Sequence, residues 1–147
     1  MGVTIVGEGL PQEVVDIGRE LTKVEDKRIL NIVVEQMKNQ IMPAQTDPFI
    51  LHRTTHATAM IEYLRRLGLY GDALDEFELV EISCLLNSRF ESLPEAEKAL
   101  TAEITSMSNA DDEVKLLEYL YKRSYRLEDL MEPLARPFAN RKLASVD

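Results

Sequence analysis

From Pro11 onward, apolar residues recur at intervals of three and four, and prolines, glycines and capping residues cut that pattern into helix-length pieces. Val14, Ile17 and Leu21 stand at i, i+3 and i+7, which predicts a helix over about residues 12–23. Asp26 is placed to cap a second helix whose stripe is Leu30, Val33 or Val34, Met37 and Ile41, with Pro43 as its stop. Asp47 before Pro48 pairs a capping carboxylate with proline at the first helical position. The helix it opens runs to about Leu67, with Ala57, Met60 or Ile61, Leu64 and Leu67 inward, and Gly68 and Gly71 then bracket a turn. A fourth helix, Asp72 to Phe90, turns Leu74, Phe77, Val80 and Cys84 inward, widened by Leu85 and Leu86. Pro94 opens a fifth, to about Ile104, with Ala96, Ala99, Leu100 and Ile104 facing in. Beyond the loop Ser106–Asn109, a sixth helix buries Val114, Leu117, Leu120 and Tyr121, and Pro133 and Pro137 break the remainder.

The expected fold is therefore all-α, a bundle of five to six helices with a short extended N-terminal segment. It divides into a tail over residues 1–10, a helical hairpin over 11–44, a core domain over 45–121 and a helical or extended tail over 122–147. The single β-branched run, Val3-Thr4-Ile5-Val6, is too little to stand as a sheet by itself. Val3, Ile5 and Val6 are thus candidate partner contacts, suited to adding a strand to another protein's sheet edge.

With 147 residues, 45% of them hydrophobic, the chain can form one packed domain and no more. Its charge of −9 is uneven: residues 1–70 carry −1, residues 71–118 carry −10 and residues 119–147 carry +2. So acidic a middle repels a phosphate backbone and leaves little direct nucleic-acid binding there. It suits a basic protein surface or simply a solvated helical face. No run approaches the length of a membrane span. The start of the chain reads as neither a signal peptide nor a myristoylation motif, since Val6 stands where the latter needs Ser or Thr. One cysteine, Cys84, allows no internal disulfide and points to a reducing compartment, nucleus or cytoplasm.

His52 and His56, at i and i+4 on a helix, share one face, as metal ligands must. The residues between them are Arg53-Thr54-Thr55, so the glutamate base of H-E-x-x-H is missing and a cation opposes metal. They are weak metal candidates. Cys84 sits on an apolar stripe and reads as a small buried hydrophobe. Gly7-Glu8-Gly9 lacks the third glycine of a nucleotide loop. Among the carboxylates Glu76, Glu78, Glu81 and Glu91, nothing in the pattern buries two together beside room for a substrate. Arg65-Arg66, Lys122-Arg123 and Arg141-Lys142 are short basic pairs, and Tyr119, Tyr121 and Tyr125 near the second could stack on RNA or simply pack. The expectation is a chain with no catalytic residues and no cofactor.

Leu74-Asp75-Glu76-Phe77-Glu78-Leu79, then Leu86-Asn87, Pro94 to Leu100, and Asp111-Asp112-Glu113 with the helix to Leu120 resemble one known family. It is that of the fourth subunit of eukaryotic RNA polymerase II and its archaeal counterpart, through their helical, HRDC-like C-terminal domain. Tyr63 with Leu67 is similar to the family's preceding helix, and Asp26 to Gln40 to its N-terminal helix. The likeness covers residues 57–120. It implies a non-catalytic stalk subunit of a DNA-directed RNA polymerase, nuclear in a eukaryote and cytoplasmic otherwise. Such a subunit forms a heterodimer with an S1/OB-type subunit and contacts the polymerase core. A different class, an acidic helical adaptor or inhibitor of viral or bacterial origin on a basic protein surface, fits the composition too. A third is a metal-binding bundle centred on His52 and His56.

Overall fold

The start signals at Asp47, Pro94 and Asn109 act as read. The second helix opens at Glu25 behind Val24 with no side-chain cap, so Asp26 does not cap it. The breaks expected at Gly68, Gly71 and Pro43 do not form as read. A computed structural model of the chain describes residues 9–135, apart from the side chains of residues 25–27. Its helices are α1 (Gln12–Leu21), α2 (Glu25–Gln36), α3 (Met42–Ala44), α4 (Pro48–Leu86), α5 (Leu93–Ser106), α6 (Ala110–Leu130) and α7 (Glu132–Ala135). A π-helical turn, Met37–Ile41, joins α2 to α3. No strand occurs among the described residues, and the fold is all-α. Val3, Ile5 and Val6 lie outside the described residues, as does the chain from residue 136 on.

Three helix starts are held by side chains. Asp47 Oδ1 accepts the Phe49 N–H at 2.9 Å, Ser92 Oγ the Glu95 N–H at 3.4 Å, and Asn109 Oδ1 the Asp111 N–H at 2.9 Å. Each satisfies a backbone donor that a helix start leaves bare. Asp111, Asp112 and Glu113 add negative charge at the positive end of the α6 dipole. α4 ends at Asn87, whose φ of 49° lies in the left-handed region that asparagine enters more easily than other side chains.

The turn expected at Gly68 and Gly71 does not form. α4 passes through both as one 39-residue helix. A glycine inside a helix costs about 1 kcal/mol relative to alanine. Burying Leu69 and Leu74 gains about 1.5–3 kcal/mol each, which outweighs the two glycines. No proline stands between Leu67 and Asp72 to compete. Pro43 also fails to stop its helix at once. The chain first widens, the Met42 N–H reaching five residues back to the Met37 carbonyl, and α3 then carries on to Ala44. The wide turn stands just ahead of the ring that would otherwise press on the carbonyl four residues back. α6 runs on to Leu130, so the boundary expected after residue 121 falls inside a helix.

α4 is the spine, and α1, α2, α5, α6 and α7 all pack on it. One cluster joins Ile82 of α4 to Ala96 and Leu100 of α5 and Leu116 and Tyr119 of α6, with Leu79, Leu85 and Phe90 against it. The other joins Val14 of α1, Leu74 of α4 and Leu130 of α6, with Tyr63, Tyr70 and Phe77 around them.

Several faces are turned from those expected. On α4 the buried residues are Thr58, Ala59, Glu62, Leu69, Leu74, Glu78 and Ile82, while Met60, Leu64, Leu67, Val80 and Cys84 are exposed. On α6 they are Leu116, Tyr119, Arg126 and Leu130, and Val114, Leu117, Leu120 and Tyr121 face out. Ile17 and Ile104 are exposed as well, whereas Ala96 and Leu100 are buried as read. Where α6 crosses α4, Glu78 and Arg126 are buried together, so polar residues there take core-facing positions that apolar periodicity assigns to others.

Gly18 sets how closely α1 lies on α4, since a Cβ there would stand 2.1 Å from Tyr70 Cε1. Gly18→Ala gains about 1 kcal/mol of helix propensity. Displacing a packed ring costs about 1–3 kcal/mol, so the net expected change is a loss. Thermal melting followed by circular dichroism should show a lower midpoint for Gly18→Ala.

Candidate functional site

The most polar place in the interior lies where α6 crosses the C-terminal half of α4. Arg126, 4% exposed, donates from Nε to Glu78 Oε1 and from Nη2 to Glu81 Oε2, both at 2.7 Å. Tyr119 donates its hydroxyl to the other Glu78 oxygen, also at 2.7 Å. The guanidinium carbon lies 5.1 Å from the Phe77 ring centre and 5.9 Å from that of Tyr119. Each Glu78 oxygen thus accepts a side-chain donor. This arrangement locks two helices together. A general acid or base needs a proton it can exchange with a substrate, and these contacts commit the carboxylate to its neighbours.

Burial, and after it the Glu78 carboxylate that takes its hydrogen bond, pushes the Tyr119 pKa well above its ordinary value. The sign of the effect follows directly. Above pH 10 an unfolded tyrosine releases its proton while folded Tyr119 keeps it. Its contribution to stability is therefore complete below about pH 10 and is lost as pH rises beyond. In an absorbance titration one tyrosine should ionise only as the fold opens, and Tyr119→Phe should remove that step.

The structure brings the two histidines together on α4, ring centres 4.3 Å apart and planes at 55°. No group of three or more His, Cys, Asp or Glu able to hold a metal ion occurs among the described residues. Arg53 lies over the Phe49 ring at 5.1 Å, on the same stretch of helix. Cys84, expected inside, is exposed because Ile82 takes the inward position. Glu76 and Glu91 are exposed, so of the four carboxylates only Glu78 and Glu81 meet, across Arg126. Burial raises the Asp75 pKa, and the neighbouring charges of Asp72, Glu97 and Glu78 raise it further. This is the local face of the acidic middle.

Basic residues near the tyrosines are engaged inside the molecule. Arg66 donates to the Asp129 carbonyl at 2.7 Å and to its carboxylate at 3.2 Å, Arg123 pairs with Glu97, and Lys122 meets Glu118 at 2.8 Å. Tyr119 is buried, and Tyr121 meets Tyr125 edge-on at 5.0 Å, so the three rings do not form one stacking surface. Arg141 and Lys142 lie outside the described residues.

The exposed apolar side chains stand out more. Toward its N-terminus α4 turns Thr58 and Glu62 to Met42 and Lys38, the side covered by α3 and the π-turn. Met60, Leu64 and Leu67, at i, i+4 and i+7, are 54%, 54% and 40% exposed. α2 shows the same duality. Val34 is buried, while Ile29 and Ile32 are 56% and 51% exposed. A helix apolar on both faces fits a layer covered on both sides. Phe49, Ile50 and Leu51 add exposed apolar surface at the start of α4.

No family model, characterised protein or solved structure matches this chain.

Sequence reasoning missed the Arg126–Glu78–Tyr119 contact. Its signal is present in retrospect: Glu78 stands four residues from Leu74 and four from Ile82, a charge in the middle of an apolar row.

Proposed function

We propose that this chain is a non-catalytic, protein-docking subunit and that the assembly it serves is a DNA-directed RNA polymerase, in which it pairs with an S1/OB-type stalk subunit. One observation carries the docking role: α2 and the N-terminal half of α4 turn Ile29, Ile32, Met60, Leu64 and Leu67 to solvent in helical rows. Apolar rows left exposed on a folded chain mark a site for another polypeptide. The polymerase assignment is supported by the resemblance over residues 57–120. Leu74, Ala96 and Leu100 of that stretch are buried, and Phe77 and Leu79 pack against the clusters they form. Tyr63 and Leu67 share one unbroken helix with Leu74–Leu79.

Mixing the chain with an S1/OB-type polymerase stalk subunit should give a 1:1 complex in size-exclusion chromatography with light scattering. Leu64→Asp with Leu67→Asp should abolish it while leaving helicity intact. Removing hot-spot contacts of this kind weakens binding by about 2 kcal/mol or more, roughly thirtyfold. Failure of the intact chain to bind any such subunit sinks the polymerase assignment. A second reading, an acidic adaptor on a basic protein surface, is favoured by the carboxylates around Asp75. It predicts binding that weakens steeply with salt and ignores the Leu64 and Leu67 substitutions.

A further inference from the structure

The C-terminal half of α4 carries a surface of a different kind from the rows described above. Where α1 packs on it, the two helices leave a groove of about 240 Å³. Its floor is apolar: Ala73, Phe77 and Val80 of α4, at i, i+4 and i+7, lie with Ile17 of α1. Ile17 and Val80 are 46% and 61% exposed, so this floor is open to solvent. Its rim is acidic, with Glu13 on the α1 side and Glu76 and Glu81 on the α4 side. We propose that the groove receives a cationic amphipathic helix of another polypeptide, which lays an apolar side chain on the floor and sets Lys or Arg against the rim.

Charge selects the occupant. No Lys, Arg or His lines the groove among the described residues. Glu81 is already shared with Arg126, which is itself buried and also holds Glu78. Glu13 and Glu76 are exposed, and among the described residues neither meets a basic side chain. Two uncompensated carboxylates therefore flank an apolar floor that is stabilised by leaving water. A neutral apolar guest would strip water from those carboxylates and supply no partner for them. A helix whose apolar row is bordered by Lys or Arg covers the floor and pairs both sides of the rim. A second copy of this chain brings the same carboxylates and a net charge of −9, so it is repelled.

Size separates a peptide from a small molecule. Pockets for drug-sized ligands run from about 300 to 1,000 Å³, and this groove is smaller, with room for one or two side chains. The carboxylates around Asp75 belong to another side of α4, toward Glu97 of α5, and take no part here. α1 is ten residues long, about 15 Å, so a contact confined to it falls below the roughly 1,200 Å² of a stable interface. Binding should accordingly be weak, on the order of tens of micromolar.

The probe is a short labelled helical peptide of Lys, Leu and Ala, with leucines along one face and lysines bordering them. Fluorescence anisotropy with the full chain should show saturable binding. It should weaken about tenfold between 0.1 M and 1 M salt, as the Debye length falls from about 10 Å to about 3 Å. Glu13→Gln with Glu76→Gln should weaken it roughly fivefold. The same change of charge at exposed sites off the groove, Glu91→Gln with Glu103→Gln, should not. Ile17→Ser should weaken it by a similar factor, which a general attraction of cations to an acidic chain does not produce. Circular dichroism should show full helicity in every variant, since all five positions are exposed. Absence of saturable binding overturns the proposal. So does an equal loss in the two glutamine pairs, or undiminished binding by Ile17→Ser. A stalk subunit held through Leu64 and Leu67 should be indifferent to Glu13→Gln with Glu76→Gln, so the two surfaces are tested separately.

Discussion

Arg126→Met is expected to lower the stability of the fold by about 3–5 kcal/mol, because it strands the Glu78 carboxylate in the interior with a single remaining donor. The loss reaches beyond one ion pair. Arg126 also holds Glu81 of α4 and lies near the rings of Phe77 and Tyr119, so its removal loosens the seat of α6 on α4 at several points. For a chain of this size each kcal/mol moves the thermal midpoint by about 3–5 °C, so the melt should begin roughly 10–20 °C lower. The double variant Glu78→Leu/Arg126→Met removes both charges and replaces them with apolar volume. Such replacements are often neutral or stabilising, so the double variant should be more stable than Arg126→Met alone. Chemical denaturation of the four proteins of that cycle measures the coupling directly. Equal stability of wild type and Arg126→Met would show that the contact is dispensable.

Ile82→Ala should rank next. Ile82 has no exposed surface and is the point where α4, α5 and α6 meet, packed among Ala96, Leu100, Leu116 and Tyr119. Truncating it removes three carbons and leaves a cavity between helices that are held apart by their other contacts. The expected cost is about 2–5 kcal/mol, toward the upper end because three elements cannot all close on one void. Urea unfolding should show a lower midpoint with an unchanged slope. Ile82→Val, which removes one methyl, should cost about 0.5–1.5 kcal/mol at the same site. A larger loss for valine than for alanine would contradict the packing described.

Local chemistry was legible where it acts within a few residues. Asp47, Asn109 and the prolines at helix starts do in the structure what their types imply, since a cap depends only on the turn that follows it. What the sequence did not disclose depends on contacts far along the chain. Gly68 and Gly71 look like a turn, yet whether a helix survives them is decided by what Leu69 and Leu74 bury against. The face of α6 was misjudged for the same reason: Val114, Leu117, Leu120 and Tyr121 form as good an apolar row as Leu116, Tyr119 and Leu130. Two apolar rows on one helix leave periodicity unable to choose between them, and Arg126 settles the choice by finding Glu78 48 positions away. Of the candidate site residues, His52 and His56 do meet, while Val3, Ile5 and Val6 lie outside the described residues.

Methyl nuclear magnetic resonance of the chain, titrated with an S1/OB-type stalk subunit, tests the account at its centre. Signals from Ile29, Ile32, Met60, Leu64 and Leu67 should shift and saturate at one equivalent, with Ile82 and Leu100 of the interior unmoved. If those five stay fixed while the partner binds, or if no stalk subunit moves any signal, the exposed rows of α2 and α4 are not the surface through which this chain works.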